Sequence, residues 1–187
     1  LDTIRFMALE NQPEKVYDML ETLGNFYRRF LSKGSIDIPL AQEIEIVQSY
    51  LKLQKNRYED VFEDEYEIEE GLENIRVPRL ILQPLVENSI YHGVRLKGQK
   101  GVIRVSICHE EDELVIRVYD TGVGMSKEQM QKLLEKKDTS SFGIMGTIRR
   151  IQYYYKKEDV FEINTIEGEY CEVCLHLPLE GGLACIK

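Results

Sequence analysis

The 187-residue sequence has no tryptophan, only four cysteines and only five prolines. Nowhere does an apolar run approach the roughly 20 residues that a bilayer crossing needs. Basic residues are also in deficit, 24 Lys and Arg against 33 Asp and Glu, for a formal net charge of −9. A nucleic-acid surface wants a basic face, so that class is excluded. Cys108, Cys171, Cys174 and Cys185 are too few and too scattered for a disulfide scaffold, which points to a reducing cytoplasm. Cys171 and Cys174 have the spacing of a zinc knuckle, but they fall in an apparent strand, where residues three apart face opposite sides, and no second pair follows. No internal repeat or low-complexity tract is present, and none of these residues is expected to form a signal peptide, which describes this stretch of sequence only.

What remains is ordinary for a soluble globular protein: 43% hydrophobic and 30% charged residues. The length suits one domain of about 150 residues with a helical appendage. Residues Leu1 to Asn11 read as the end of a helix, and Pro13 suits the first turn of another. In that second helix Val16, Met19, Leu20, Leu23, Phe26, Tyr27 and Phe30 form an apolar stripe, wide enough for a bundle or dimer seam or for packing on its own domain. Gly34 and Pro39 punctuate a linker, and Leu40, Ile44, Val47, Tyr50, Leu51 and Gln54 continue a helical face to about Tyr58. The acidic run from Glu59 to Glu73 reads as a solvated strand and turn rather than a docking patch.

From Val61 onward the pattern is mixed. Strands are expected at Val61 to Ile68, Val102 to Cys108 and Leu114 to Tyr119, and as a hairpin through Glu162 to Ile166 and Tyr170 to Leu177. Helices are expected at Pro78 to Tyr91, Lys127 to Glu135 and Gly143 to Tyr155. This order predicts an α+β fold, a two-layer α/β sandwich with a largely antiparallel sheet. The stretch from Lys136 to Phe142 lacks apolar periodicity and suits a lid.

Two segments carry the chemistry. In Leu82-Gln83-Pro84-Leu85-Val86-Glu87-Asn88-Ser89-Ile90-Tyr91-His92-Gly93 the apolar Leu82, Leu85, Val86 and Ile90 recur at helical spacing, so Glu87, Asn88 and Tyr91 or His92 look elsewhere. In Asp120-Thr121-Gly122-Val123-Gly124-Met125 a strand ends at Asp120, and two glycines let the backbone turn sharply and approach a bound group. Asp120 is placed to accept from a base amine. Each segment alone is a common cap or turn; their order and separation are what single them out.

Together they resemble the N box and G1 box of the Bergerat, or GHKL, nucleotide fold, and the form Gln83-Pro84-Leu85-Val86-Glu87-Asn88-Ser89-Ile90-x-His92-Gly93 resembles the LytS/YesM type of two-component sensor histidine kinase. The resemblance implies ATP and Mg²⁺ as ligands. Asn88 would hold Mg²⁺ by its amide oxygen, a suitable hard donor. Asp120 would read the adenine amino group, with Gly122 and Gly124 shaping the turn. Glu87 would take a proton from an incoming histidine or make a helix salt bridge, and His92 would border the phosphates or be structural. The family often carries a basic residue where Tyr91 stands, so phosphate charge falls to Arg95, Lys97 or Lys100. The later glycine box departs from Gly-x-Gly-Leu-x-Asn: Ser141 takes the first glycine position and Gly146 the asparagine, leaving Gly143 and the amides at a helix start to cradle phosphate.

The resemblance divides the chain into 1–34, a partial dimerisation and phosphoacceptor region; 35–60, a connecting helix; 61–180, the ATP-binding catalytic domain; and 181–187, a tail. Leu1-Asp2 resembles the end of the acceptor motif Asn-Pro-His-Phe-Leu-x-Asn-Thr-Leu, which puts the acceptor histidine upstream. His92, His109 and His176 sit in the N box or in strands, so ATP binding without self-phosphorylation is expected of this chain. Implied partners are a response regulator and, through the N-terminal helices, a second copy. The implied location is the cytoplasmic side of a membrane-anchored bacterial protein. Among alternatives, a gyrase-type ATPase needs a water-activating glutamate where Pro84 stands. An anti-sigma-type serine kinase fits the N-terminal stripe poorly. A nucleotide-sensing module without catalysis would fit the irregular glycine box.

Overall fold

A computed structural model describes residues 4, 8–30, 35–58, 61–135 and 143–179. The expected lid, Ser141 and the tail lie outside the described residues. Helix α1 (Pro13–Phe30) starts on its proline and packs on α2 (Leu40–Arg57) with Met19 and Thr22 buried, leaving Tyr17 and Leu20 exposed. Five strands form one sheet in the order β2 (Phe62–Ile68), β4 (Gly101–Glu110), β5 (Glu113–Asp120), β7 (Tyr170–Pro178), β6 (Phe161–Ile166). The β2 and β4 pair is parallel and all others are antiparallel.

Alternation puts Ile103, Val105, Ile107, Leu114, Ile116, Val118, Val173, Leu175 and Leu177 on one face, nearly or wholly buried. Over that face lie α2, α3 (Gln83–Asn88) and α5 (Ile144–Tyr155), contributing Val47, Leu51, Leu85, Val86, Ile148 and Ile151 to the same core. The opposite face carries ion pairs such as Arg104 with Glu65 and Arg117 with Glu110, as expected of a sheet wet on one side. The result is the two-layer α/β sandwich, with the remaining helix, α4 (Lys127–Glu135), following the glycine turn.

The helix expected from Pro78 to Tyr91 is shorter at its start. Strand β3 (Arg76–Pro78) pairs with β1 (Asp37–Pro39), Leu80 takes a left-handed backbone at φ 57°, and α3 begins only at Gln83. Pro84 fits there because the first helical amides have no partner within the helix. At its far end α3 runs into a wide π-type turn, Ser89–Gly93. The linker expected between Gly34 and Pro39 is therefore partly a strand. Two three-residue strands some forty residues apart carry no periodicity from which to predict them.

Gly124 has φ 59°, and a Cβ there would lie 2.1 Å from the carbonyl oxygen of Ile166. The glycine turn is thereby fastened to the β6–β7 hairpin, helped by Met125 N–H donating to Thr165 Oγ1 at 2.9 Å. Gly124→Ala is expected to lower unfolding stability by more than about 2 kcal/mol in urea titrations, because backbone must move to admit a methyl group.

Candidate nucleotide site

Asp120 ends β5 as a buried carboxylate, 1% exposed, among apolar neighbours. Its Oδ1 accepts the Gly122 amide at 2.9 Å, and the Ser89 hydroxyl also bonds to it. Ser89 is buried too, one residue beyond Asn88 at the end of α3. The two sequence motifs thus meet: the turn after α3 and the turn after β5 share one carboxylate. Gly93 and Gly122 make the meeting possible. A Cβ on Gly122 would lie 2.4 Å from the Gly93 Cα, and one on Gly93 would lie 2.4 Å from Asp120 Oδ1. Burial pushes the Asp120 carboxyl up to about 6, against the lowering effects of Ser89, the Gly122 amide and Lys97.

On the outward side of α3, Asn88 and Glu87 are half-buried. Gln83 Nε2 donates to Glu87 Oε1 at 2.8 Å, and Tyr50 of α2 shares side-chain hydrogen bonds with Glu87 and Tyr91. Burial and the Glu87 charge hold the Tyr50 hydroxyl well above its ordinary range. His92 is exposed on the π-type turn. The candidate phosphate cations have other partners: Lys97 Nζ donates to the carbonyls of Thr121 at 2.7 Å and Glu169 at 3.1 Å, and Lys100 pairs with Glu63 at 2.7 Å. The Arg95 guanidinium lies 4.2 Å above the Tyr58 ring and 5.2 Å from that of Tyr91. Arg95 therefore brings a cation to the very ring that stands where the resemblance leads one to expect a basic side chain.

Gly143 precedes α5 and accepts from the amides of Gly146 at 3.0 Å and Thr147 at 3.3 Å. Both glycines are exposed, with open space where a Gly143 Cβ would stand. Cys171 lies opposite Asp120 in the β5–β7 register, its thiol pushed up to about 12 by burial and by that carboxylate. Cys174 faces the other side, its Sγ 3.4 Å from His176 Nε2.

One buried charge was not singled out in the sequence. Glu43 is 0% exposed, on the apolar stripe of α2 between Leu40 and Ile44. Its carboxylate accepts the backbone amides of Leu80, of Ile81 at 3.1 Å and of Leu82 at 3.3 Å. It thereby satisfies amides just ahead of α3, where no side chain of the helix's own start does so. Burial raises the Glu43 carboxyl, and the three amides and the Arg150 charge pull it down. Its sequence signal is a carboxylate three residues after Leu40 on a stripe that is otherwise apolar or aromatic as far as Leu51.

Residues 73–181 match the family model described as histidine kinase-, DNA gyrase B-, and HSP90-like ATPase, and residues 1–62 match a histidine kinase model. The chain belongs to that ATPase family, within its sensor histidine kinases of the LytS/YesM type. It is 30% identical to the sensor protein LytS of Enterococcus faecalis over 92% of this chain and 30% of that one. It is 24% identical to the sensor histidine kinase YesM of Bacillus subtilis, over 95% of this chain and 30% of the relative. The chain thus spans under a third of either relative. The catalytic domain of histidine kinase ThkA shares the fold at a TM-score of 0.55 and 16% identity, covering 76% of this chain and 94% of that one. No helix among the described residues is long and apolar enough to cross a membrane.

The raised Asp120 carboxyl sets a pH signature. Its folded value of about 6 exceeds the ordinary 3.8, so the folded chain holds this proton more tightly than the unfolded one. Its contribution to stability is then greatest below the lower value and falls as pH rises to the higher one. Asp120→Asn is expected to stabilise the chain at pH 7 by on the order of 2–3 kcal/mol, and to flatten the decline between pH 4 and 6. Urea unfolding of both chains across that range measures it; an equal slope in the two would refute the assignment.

Proposed function

We propose that this chain is the cytoplasmic catalytic region of a membrane-anchored sensor histidine kinase, which binds Mg²⁺-ATP and directs its γ-phosphoryl to a histidine for relay to a response regulator. The observation that carries this is the buried Asp120 carboxylate, held between Gly93 and Gly122 and hydrogen-bonded to the residue that follows Asn88. A carboxylate has about four acceptor sites. After the Gly122 amide and the Ser89 hydroxyl, lone pairs remain to accept the amino group of adenine.

The residues present fit a metal–nucleotide. Asn88 offers a neutral amide oxygen beside the pocket, and Mg²⁺, when bound there, neutralises phosphate charge. A side chain at Gly143 would meet open space at the start of α5, where the amides of a helix start suit phosphate oxygens. In the transfer, a histidine ring nitrogen forms the new bond to the γ-phosphorus as the bond to the β,γ-bridging oxygen breaks, and ADP leaves. Phosphoryl transfer of this kind depends on placement and charge more than on covalent help. Glu87, held by Gln83 and Tyr50, is fixed to accept the imidazole proton or to orient the ring. The N-terminal helices would join two copies, with boundaries at 34, 60 and 180 separating the dimerisation region, connecting helix, catalytic domain and tail.

Calorimetric titration with ATP, with and without Mg²⁺, tests the site. Asp120→Ala is expected to abolish adenine nucleotide binding, whereas Asn88→Ala removes mainly the Mg²⁺-dependent part. Unchanged titrations for both would sink the pocket. With radiolabelled ATP, a longer chain carrying the upstream histidine is expected to gain acid-labile label. Binding without such transfer would instead favour a nucleotide-sensing module.

A further inference from the structure

Glu43 belongs to α2, a helix inside the segment matched by the histidine kinase model, yet its carboxylate is spent entirely on the ATP-binding unit. It spans the Leu80, Ile81 and Leu82 amides, which lie 37 to 39 residues away in sequence. Leu80 is fastened from the other side as well: its carbonyl accepts from the Arg150 guanidinium at 2.6 Å. Arg150 lies on α5, seven residues after Gly143. Leu80 is thus clamped at both its amide and its carbonyl, and it holds a left-handed backbone at φ 57° that a leucine does not adopt unaided. A residue kept in such a conformation needs surroundings that over-determine it, and here they come from two different helices.

The clamp sits at one end of α3, and Asn88 sits at the other. The helix is six residues long and rigid, so the orientation of its first turn fixes where Asn88 points. By contrast Asp120 ends β5, and the Gly122 amide that it accepts at 2.9 Å belongs to the turn after that strand, so this bond does not pass through α3. The adenine end thus has a support of its own on β5 besides its contacts with Ser89 and Gly93, whereas Asn88 is carried on α3.

We propose that Glu43 is a positioning residue for the metal–phosphate end of the site, setting Asn88 through the start of α3 and the Gly143–Gly146 segment through Leu80 and Arg150. This inference rests on the reading of Asn88 and Asp120 as metal and adenine residues. It adds that a residue of the upstream helical segment governs the Mg²⁺-dependent part of nucleotide binding and leaves the adenine contact alone.

The experiment is a pair of calorimetric titrations of the 187-residue chain, one with ATP and Mg²⁺ and one with ATP in a chelator. Glu43→Gln keeps the shape but presents an amide to three donors, and it is expected to raise the Kd for Mg²⁺-ATP roughly tenfold. The Kd in chelator is expected to stay within about twofold of the unaltered chain. Loss of both affinities by the same factor would mean a general structural role and overturn the proposal, as would two unchanged titrations. Should Glu43→Gln fail to give a cooperative thermal transition, Arg150→Gln carries the same expectation, since it frees the Leu80 carbonyl and leaves Glu43 in place. A normal Mg²⁺-ATP titration for that variant overturns the proposal equally. If the unaltered chain binds no ATP, or Asp120→Ala binds it normally, the site reading itself falls and takes the proposal with it. That outcome is recognisable without either helix variant.

Discussion

The site depends on a close approach of backbone: Gly93 and Gly122 come so near that a methyl group on Gly122 would overlap the Gly93 Cα. Only two residues without side chains can meet there, and Asp120 lies beside both. The approach closes the turn after α3 against the turn after β5, and it buries a carboxylate that would otherwise be hydrated. Burial of this kind opposes folding, which is why the Asp120 proton is held up to about 6. A fold that keeps such a group sacrifices stability for an acceptor already stripped of water, the condition under which one hydrogen bond to a base discriminates strongly.

Around that point, buried and half-buried polar groups fasten elements distant in sequence to one another. Glu43 joins α2 to the start of α3, and Tyr50, two turns further along α2, joins it to Glu87 and Tyr91. Asp37, held well below the usual carboxylate range by Tyr154 and Arg76, joins β1 to α5 and β3. Each contact runs from the segment before residue 60 into the unit after it, and the apolar residues of α2 share the core beneath the sheet. The connecting helix is bound into the catalytic layer by core packing and by charge together, so a displacement of α2 would be felt at α3 and α5.

Much of this was legible in the sequence. The stripe of Leu82, Leu85, Val86 and Ile90 marks one helix face because burial selects a period near 3.6, and all four are buried. Asp120 with Gly122 and Gly124 marks the strand end because only glycine tolerates such contacts. The rest was hidden for specific reasons. The left-handed Leu80 has no residue signature, since leucine is not what such a backbone ordinarily selects, and the contacts that hold it come from Glu43 and Arg150, far off in the chain. Pro78 and Pro84 both suit a helix start, and only pairing with β1 decides that Pro78 ends a strand. Lys97 and Lys100 looked free in a glycine-rich loop, but the carbonyls and carboxylate that engage them lie on other elements.

These supports bear on the irregular glycine box. In the proposed reading, with Ser141 and Gly146 where the family has glycine and asparagine, the phosphate segment would lack part of its usual chemistry, and its placement would depend more on what holds α5. Two anchors serve: Tyr154 to Asp37 at 2.7 Å and Arg150 to the Leu80 carbonyl. Both reach the connecting segment, the first directly and the second through Glu43. A kinase whose phosphate segment is set in this way has its metal end tied to the helix that, in the proposed whole protein, leads from the dimer. Its adenine end has a second support, on β5 and the glycine turn, that does not pass through that helix. Nucleotide could then stay bound by its base while movement of the connecting helix changes how the phosphates are presented, a division of labour that follows from which backbone each carboxylate holds.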